Sequence, residues 1–399
     1  MNASRIIAIL LLCFLSTAGL FGQNKRSQLE QEKKENLAKI QEAERILQQT
    51  ASQRKTSLGQ LRALNQQIRS QQSLIQVYRS NIQLLNGEIK ESNNMIKSLE
   101  GDLDQLKEEY ANMVYQAEKS QNSYGSLSFL FSSSSFSELV MRAKYLKQYT
   151  TSRENQARQI LGVQGELREE LVVIESNKQE QEALLAQQQE QNQQLRSAKL
   201  KKDHLVRQLS LKEKDLRKDL KRRKQAIQKL ERLIAEVIRK EMEATKNADG
   251  KFGLTPEGAL LSSNFQGNQK RLSWPVAKGF VSSKFGLQPH PVLKGVKIEN
   301  PGVDIQTQKD EIVRAVFDGE VSKIASVPGM NGVVIIIQHG DYRTVYANLN
   351  KAVVKTGDKV QAKDPIGEVY TDANGVSEVQ FQVWKSFNKL DPLAWLQPK

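Results

Sequence analysis

Apolar residues recur at steps of three and four through Leu61, Leu64, Ile68, Ile75, Tyr78, Ile82, Leu85, Ile89, Ile96, Leu99, Leu103, Leu106, Tyr110 and Met113. Gln71 and Ser92 are the interruptions. A mean spacing near 3.5 keeps one narrow stripe facing a partner helix, so this stretch is committed to a coiled coil rather than to a globular core. All 9 prolines lie after residue 250, and the Gln-, Glu-, Lys- and Leu-rich segment before them contains no helix breaker of that kind. One helix is therefore expected from about Arg26 to Ser120, a length of about 140 Å at the α-helical rise.

The stripe ends at Gln121-Asn122-Ser123-Tyr124-Gly125, and a serine run follows from Ser132 to Ser135. A second helix is expected from about Ser152 to Thr245, with a looser stripe of Leu167, Leu171, Ile174, Leu184, Leu195, Leu205, Leu209, Leu216 and Leu220. Two helices of similar length around one break predict an antiparallel hairpin over residues 23–246, its tip near 121–145. Leu130, Phe131, Phe136 and Leu139 gather at that tip, where a hydrophilic rod offers little core. They form either a binding patch or a small knot closing the hairpin.

Toward the end of the second helix the stripe widens to Ile227, Leu230, Leu233, Ile234, Val237, Ile238 and Met242, broader than a two-helix seam requires. This segment can pack on the hairpin or fold back on whatever follows. Residues 247–271 are rich in breakers and read as a linker. From residue 272 onward β-branched runs alternate with turn signals: Ile312 to Ala315, Gly319 to Ala325, Val333 to Gln338, Thr344 to Ala347 and Val379 to Val383. The fold class is α + β multidomain, a long antiparallel coiled-coil hairpin followed by a small antiparallel all-β domain.

Arg5, the apolar run Ile6 to Leu15 and the small residues up to Gly22 have the pattern of a cleavable signal peptide, residues 1–22; a retained anchor is the alternative, although the run is short for a membrane span. The chain's 1 cysteine, Cys13, lies inside it. The mature chain then has no disulfide, cysteine–zinc site or thiol nucleophile. Most of the formal charge of +14 sits on the helical region, especially Lys199 to Lys240 with its Lys201-Lys202 and Lys221 to Lys224 clusters. That suits an anionic partner surface or a solvated face. An exported chain without a reading motif is not expected to bind nucleic acid.

The C-terminal segment carries Trp274-Pro275, Phe285-Gly286, His290-Pro291, Gly302-x-Asp304-Ile305, His339-Gly340, Tyr346-Ala347, Gly357-Asp358-x-Val360, Ile366-Gly367, Phe381-Gln382-Val383 and Asp391-Pro392 in that order. In these motifs residues 272–399 resemble the LytM-type (lysostaphin-type) zinc endopeptidases that cut peptidoglycan crosslinks. The resemblance implies zinc ligands in H-x-G-x-D and H-x-H motifs and further histidines above the metal. Here those positions hold Asn300, Asp304, Asn348, Glu378 and Gln380. One surviving carboxylate does not make the three-ligand site that zinc hydrolysis needs. The chain has 3 histidines, and His204, His290 and His339 match none of the ligand positions. Neither a catalytic residue, a metal nor a cofactor is expected.

A signal peptide, a coiled-coil hairpin and a degenerate LytM-type head together resemble the EnvC-like murein hydrolase activators. That resemblance implies a periplasmic protein acting in cell division. Its tip would dock on an FtsX-type membrane subunit of a transporter-like complex, and its vacant cleft would bind a peptidoglycan amidase. It also implies a helical arm over the cleft, for which Ile227 to Met242 or Leu254 to Phe265 are the candidates. The expected amidase groove holds Arg343, Tyr346, Asn348, Glu378 and Gln380. A divergent endopeptidase, a structural coiled-coil adaptor and a peptidoglycan binder are the competing readings.

Overall fold

A computed structural model describes the backbone of residues 3–51, 57–120, 133–244 and 256–398. Two compact units divide the chain: Met1–Leu29 with Ile75–Glu190, and Glu30–Leu74 with Gln191–Lys399. The helices are α1 (Ala3–Ala51), α2 (Leu58–Ser120), α3 (Phe136–Ser210), α4 (Glu213–Ala244) and α5 (Pro256–Gly267). Side chains of the expected signal peptide lie outside the described residues, as do Leu130 and Phe131 of the expected tip. Among the described residues no helix is long and apolar enough to cross a membrane.

In the first unit α2 and α3 run antiparallel. Tyr149 donates to the Met113 carbonyl at 3.2 Å, Arg153 stacks over Tyr110, and Gln181 reaches Asn86 at 2.7 Å. The heptad stripe is buried at Ile75, Tyr78, Leu85, Ile96, Leu99 and Leu103, together with the polar Ser92. The looser stripe is less consistent: Ile174 and Leu184 are buried, but Leu171 is exposed. Ser135 starts α3 as an N-cap, accepting from Glu138 N at 3.2 Å, while Glu138 accepts from Ser134 N at 2.9 Å.

Two expected helices are each divided. The one expected from Arg26 to Ser120 stops at Ala51 and restarts at Leu58, and the two pieces lie antiparallel in the second unit. Asn36 bonds Ser73 at 3.1 Å, Gln67 bonds Glu44 at 2.8 Å, and Gln60 bonds the Thr50 carbonyl at 2.9 Å. The break has a local cause in the Ser57-x-x-Gln60 capping box: Gln60 N donates to Ser57 Oγ and Ser57 N to Gln60 Oε1, both at 3.2 Å. The second expected helix begins earlier, at Phe136, and is interrupted at Leu211-Lys212 before α4.

The head is an antiparallel sheet with a small hairpin beside it. Its strands are β1 (Phe280–Ser283), β2 (Gly286–Pro289), β3 (Lys297–Asn300), β4 (Val303–Thr307), β5 (Ile312–Arg314) and β6 (Gly319–Ser326). They continue as β7 (Val333–His339), β8 (Tyr342–Ala352), β9 (Lys359–Val360), β10 (Pro365–Val369), β11 (Ser377–Lys385) and β12 (Asn388–Leu390). The main order is β1-β4-β11-β8-β7-β6-β9, with β10 joining β5 to β8, β12 on β11, and β2 paired with β3. Strand alternation sends Val303, Ile305, Tyr346, Val379, Phe381 and Val383 into one core. α5, expected as linker or arm, completes that core instead. Its Phe265 is fully buried, stacked on Tyr342 and His339 at centroid distances of 4.8 and 4.9 Å.

Candidate functional site

On the opposite sheet face the same alternation presents a row of polar groups. β4 supplies Asp304 and Gln306; β11 supplies Glu378, Gln380, Gln382 and then Trp384. Gln380 is in register with Asp304 on one side and Ala347 of β8 on the other. Asn300 closes β3 beside them, its Nδ2 donating to Ser283 Oγ at 3.2 Å. The amides form a chain: Trp384 Nε1 donates to Gln382 at 2.8 Å, Gln382 to Gln380 at 3.2 Å, and Gln380 to Asn300 Oδ1 and Asp304 Oδ1 at 3.4 Å each.

Two arginines from two helices enter this row. Arg223 of α4 binds Asp304 Oδ2 through Nη2 and holds Nη1 3.9 Å from Glu378 Oε1. Arg62 of α2 binds Glu378 Oε2 at 2.6 Å, and Ser282 of β1 donates to the same oxygen at 2.6 Å. Asp304 is wholly buried and the Glu378 side chain is 10% exposed, so their charges need compensation within the protein. Burial pushes Asp304 up from the ordinary carboxylate range, against the pull of Arg223. Burial also opposes ionised Glu378, but Arg62, Arg223 and Ser282 outweigh it and hold that carboxyl below its usual range. Asp304 raises the pKa of Arg223 and keeps its guanidinium charged.

The zinc implied by the family resemblance would need three nitrogen or anionic oxygen ligands and an open position. Asn300, Asp304 and Gln380 offer two amides and one carboxylate. Gln380 turns its N–H donors toward the other two, and Arg223 adds a guanidinium bonded to Asp304. This donor set does not suit zinc. Among the described residues no group of three or more His, Cys, Asp or Glu is placed to hold a metal. His339 is structural: it is buried between the Asp318 carbonyl at 2.6 Å and Thr344 Oγ1 at 2.8 Å, and burial lowers it to about 4. His290 Nδ1 accepts from Val292 N at 3.1 Å and Leu293 N at 3.0 Å.

Of the expected groove residues, Asn348, Glu378 and Gln380 line one cavity of about 680 Å³ together with Asn300, Arg62 and Arg223. Asn348 reaches it through a bulge: its φ of +65° shifts the β7–β8 register between Val333 and Ile335, so Tyr346 and Leu349 both face the core. Tyr346 was expected in the groove and is not there. Strand parity turns it into the core, where its hydroxyl accepts from Val316 N at 3.0 Å and Thr344 Oγ1 at 3.2 Å. Arg343 is on the cleft face but four residues along β8 from Ala347, about 13 Å at the strand rise. There its Nε donates to Glu241 of α4 at 2.6 Å.

Between the two charged ends α4 covers the sheet. Leu230, Ile234, Val237 and Ile238 pack on Val327, Val334, Ile336, Val345, Ala347 and Trp384. Of the two arm candidates, Ile227 to Met242 is thus the segment on the cleft, whereas the described part of Leu254 to Phe265, in α5, packs Phe265 into the head core. The α1–α2 elbow closes the other side. Gln49 donates to the Gly375 carbonyl at 3.0 Å and Ser377 Oγ at 3.1 Å, and Gln306 donates to the Gly59 carbonyl at 3.3 Å. Gly59 sits so close to Val376 that a Cβ there would meet a methyl at 2.4 Å.

Arg62, Arg223 and Ser282 were not anticipated from sequence. Arg223 belongs to the Lys221 to Lys224 cluster, read as a general basic surface; its signal was its position seven residues before Leu230, on the same helix face.

Residues 299–392 match Peptidase family M23. Over 88 residues the chain is 36% identical to an "Uncharacterized metalloprotease" of Haemophilus influenzae, covering 22% of this chain and 18% of that protein. Over 149 residues it is 29% identical to "Uncharacterized lipoprotein YgeR" of Escherichia coli, covering 37% of this chain and 55% of that protein. The chain thus spans about a fifth of one of these relatives and about half of the other. Helicobacter pylori Csd3 aligns over 32% of this chain and 35% of its own, with 29% identity and a TM-score of 0.28. The C-terminal part of the chain carries a domain of the Peptidase family M23 type.

Proposed function

We propose that this chain is an exported, non-catalytic activator of a peptidoglycan amidase in cell division, similar to the EnvC-like activators, with α4 as a built-in block on its cleft. One observation carries the reading: the place where this family resemblance would put zinc is filled by Arg223 of the chain's own helix, bound to Asp304 and flanked by two amides. A peptidase cleft plugged by a guanidinium suits switching by displacement better than hydrolysis. The name of one relative, a lipoprotein, agrees with export. Exposed apolar side chains at the start of α3, Phe136 at 82%, Met141 at 67% and Tyr145 at 66%, support docking of this end on a membrane partner of FtsX type.

The test is dye release from labelled sacculi by a purified amidase of the same organism, with the full mature chain or its Leu230→Asp/Ile234→Asp variant. Stimulation by the variant above that by the parent chain, with no release when amidase is omitted, is expected. Release without amidase, abolished by a chelator, would restore a peptidase and overturn the proposal.

A further inference from the structure

The side of α4 turned away from the sheet has a chemistry of its own. Its inner side carries Arg223, Leu230, Ile234 and Glu241. At about 3.6 residues per turn, the opposite side carries Lys214, Lys218, Lys221, Arg232 and Arg239. Gln225, Gln228 and Ala235 fill the gaps, so the row advances by steps of three and four and contains no Asp or Glu. All five cations are exposed, and at the helical rise the row is about 38 Å long.

Most acids of α4 are engaged off this row. Glu213 bonds Arg217 at 2.7 Å, Asp219 bonds Arg222, Glu231 bonds Lys389 at 2.8 Å, Glu236 bonds Lys240 at 2.7 Å, and Glu241 bonds Arg343. Among the described residues the five cations of the row have no ion-pair partner. Lys214, Lys218 and Lys221 are like charges three and four residues apart, a spacing that destabilises a helix. A merely solvated face mixes the two signs at that spacing, and this one does not. The row is also held rigid, because Leu230, Ile234 and Ile238 pack the helix onto the head. At the turn that opens α4, Leu211 is 88% exposed, beside Lys212 and Lys214 in the chain. A bare aliphatic side chain next to unpaired cations gains little from a soluble polyanion. On a bilayer it enters the acyl boundary while the cations meet phosphates.

We propose that the outer face of α4 is a membrane-surface site, laying the row from Lys214 to Arg239 on anionic phospholipid headgroups with Leu211 as its apolar anchor. The attraction is electrostatic and acts only within a Debye length, about 8 Å at physiological salt, so it operates on contact with the bilayer surface. The row is exposed while α4 covers the sheet. The site therefore goes beyond the amidase reading and does not depend on it.

The experiment is flotation of the full mature chain with vesicles of phosphatidylethanolamine and phosphatidylglycerol, compared with vesicles of phosphatidylcholine alone. Binding is expected to the anionic vesicles only, falling steeply with added salt. Each cation at the surface is worth about fivefold in partitioning, so Lys214→Gln/Lys218→Gln/Lys221→Gln should weaken binding on the order of a hundredfold. Glutamine is a good helix former and the three side chains are exposed, so this variant keeps the fold. The control, Lys355→Gln/Lys359→Gln/Lys363→Gln, removes the same charge from exposed positions of the head and should bind as the parent does. Leu211→Ser should weaken binding about tenfold without changing its salt dependence. Absence of vesicle binding overturns the site. Equal losses in the two triple variants also overturn it, leaving net charge alone, and so does full binding by the row variant, which puts the contact elsewhere, as at Phe136. Soluble polyphosphate bound as tightly as the vesicles, with Leu211→Ser indifferent, overturns the lipid assignment in favour of a polyanion. No arm reads amidase stimulation, so failure here leaves the proposed function untouched.

Discussion

Replacing Arg223 by Ala is the change to which docking of α4 should be most sensitive through its charge. The variant leaves the wholly buried Asp304 carboxylate beside the Gln380 amide at 3.4 Å, while Arg62 continues to hold Glu378 at 2.6 Å. Removing one partner of a buried ion pair costs about 3–5 kcal/mol. The Arg223 side chain is 36% exposed, so water reaches the vacated position, and the cost should fall to about 2 kcal/mol. Burial of Leu230, Ile234 and Ile238 contributes about 1.5–3 kcal/mol each, which exceeds that loss. The helix should therefore stay docked but open about thirtyfold more often. Hydrogen exchange on the full chain reads this directly: protection over residues 225–241 should drop by that factor, with β7 and β8 unchanged. Arg222→Ala is the control, because Arg222 and its partner Asp219 are 67% and 59% exposed. Unchanged protection in Arg223→Ala, or an equal drop in Arg222→Ala, would refute the buried-pair reasoning.

Arg62→Ala should loosen the elbow by about 1–3 kcal/mol, since Glu378 keeps Ser282 and the more distant Arg223; proteolysis between α1 and α2 would report it. Tyr346→Phe removes the acceptor of a buried Val316 N–H and should lower head stability by about 1–3 kcal/mol in denaturant titration, with no change in cleft binding. Gly302→Ala places a Cβ 2.2 Å from the Phe381 carbonyl oxygen, a backbone clash that should depress the melting temperature sharply or abolish folding. For His339, burial lowers the folded pKa to about 4, below its value of 6.5 in the unfolded chain. The unfolded chain therefore binds the extra proton between these values. This stability is fully present above pH 6.5 and is lost as pH falls to 4, by about 3 kcal/mol. His339→Gln should flatten that slope; a parallel slope in both proteins would contradict the assignment.

The degenerate positions Asn300, Asp304, Asn348, Glu378 and Gln380 were legible because the flanking motifs set their order. That they converge follows from strand pairing, with Gln380 opposite Asp304. Tyr346 failed as a groove residue for a local reason. Residues 346 and 348 have the same parity, and the left-handed Asn348 at the bulge carries them to opposite faces. The elbow at Ser57 had a sequence signal, the Ser57-x-x-Gln60 box, which the expectation of one continuous helix from Arg26 to Ser120 passed over.

Period alone determined much of this protein. The 3.5-residue stripe committed α2 to a coiled coil, the absence of proline before residue 250 left the helices long, and period-two runs placed the strands of the head. Such patterns act between residues close in the chain, so they are readable without coordinates. Only the tertiary structure decided which cation meets the orphaned carboxylates. A buried Asp304 requires a counter-charge, but nothing local selects Arg223, 81 residues away, or selects Arg62 for Glu378 across 316 residues. Those pairings follow from where the apolar faces of α4 and the elbow find a sheet to cover.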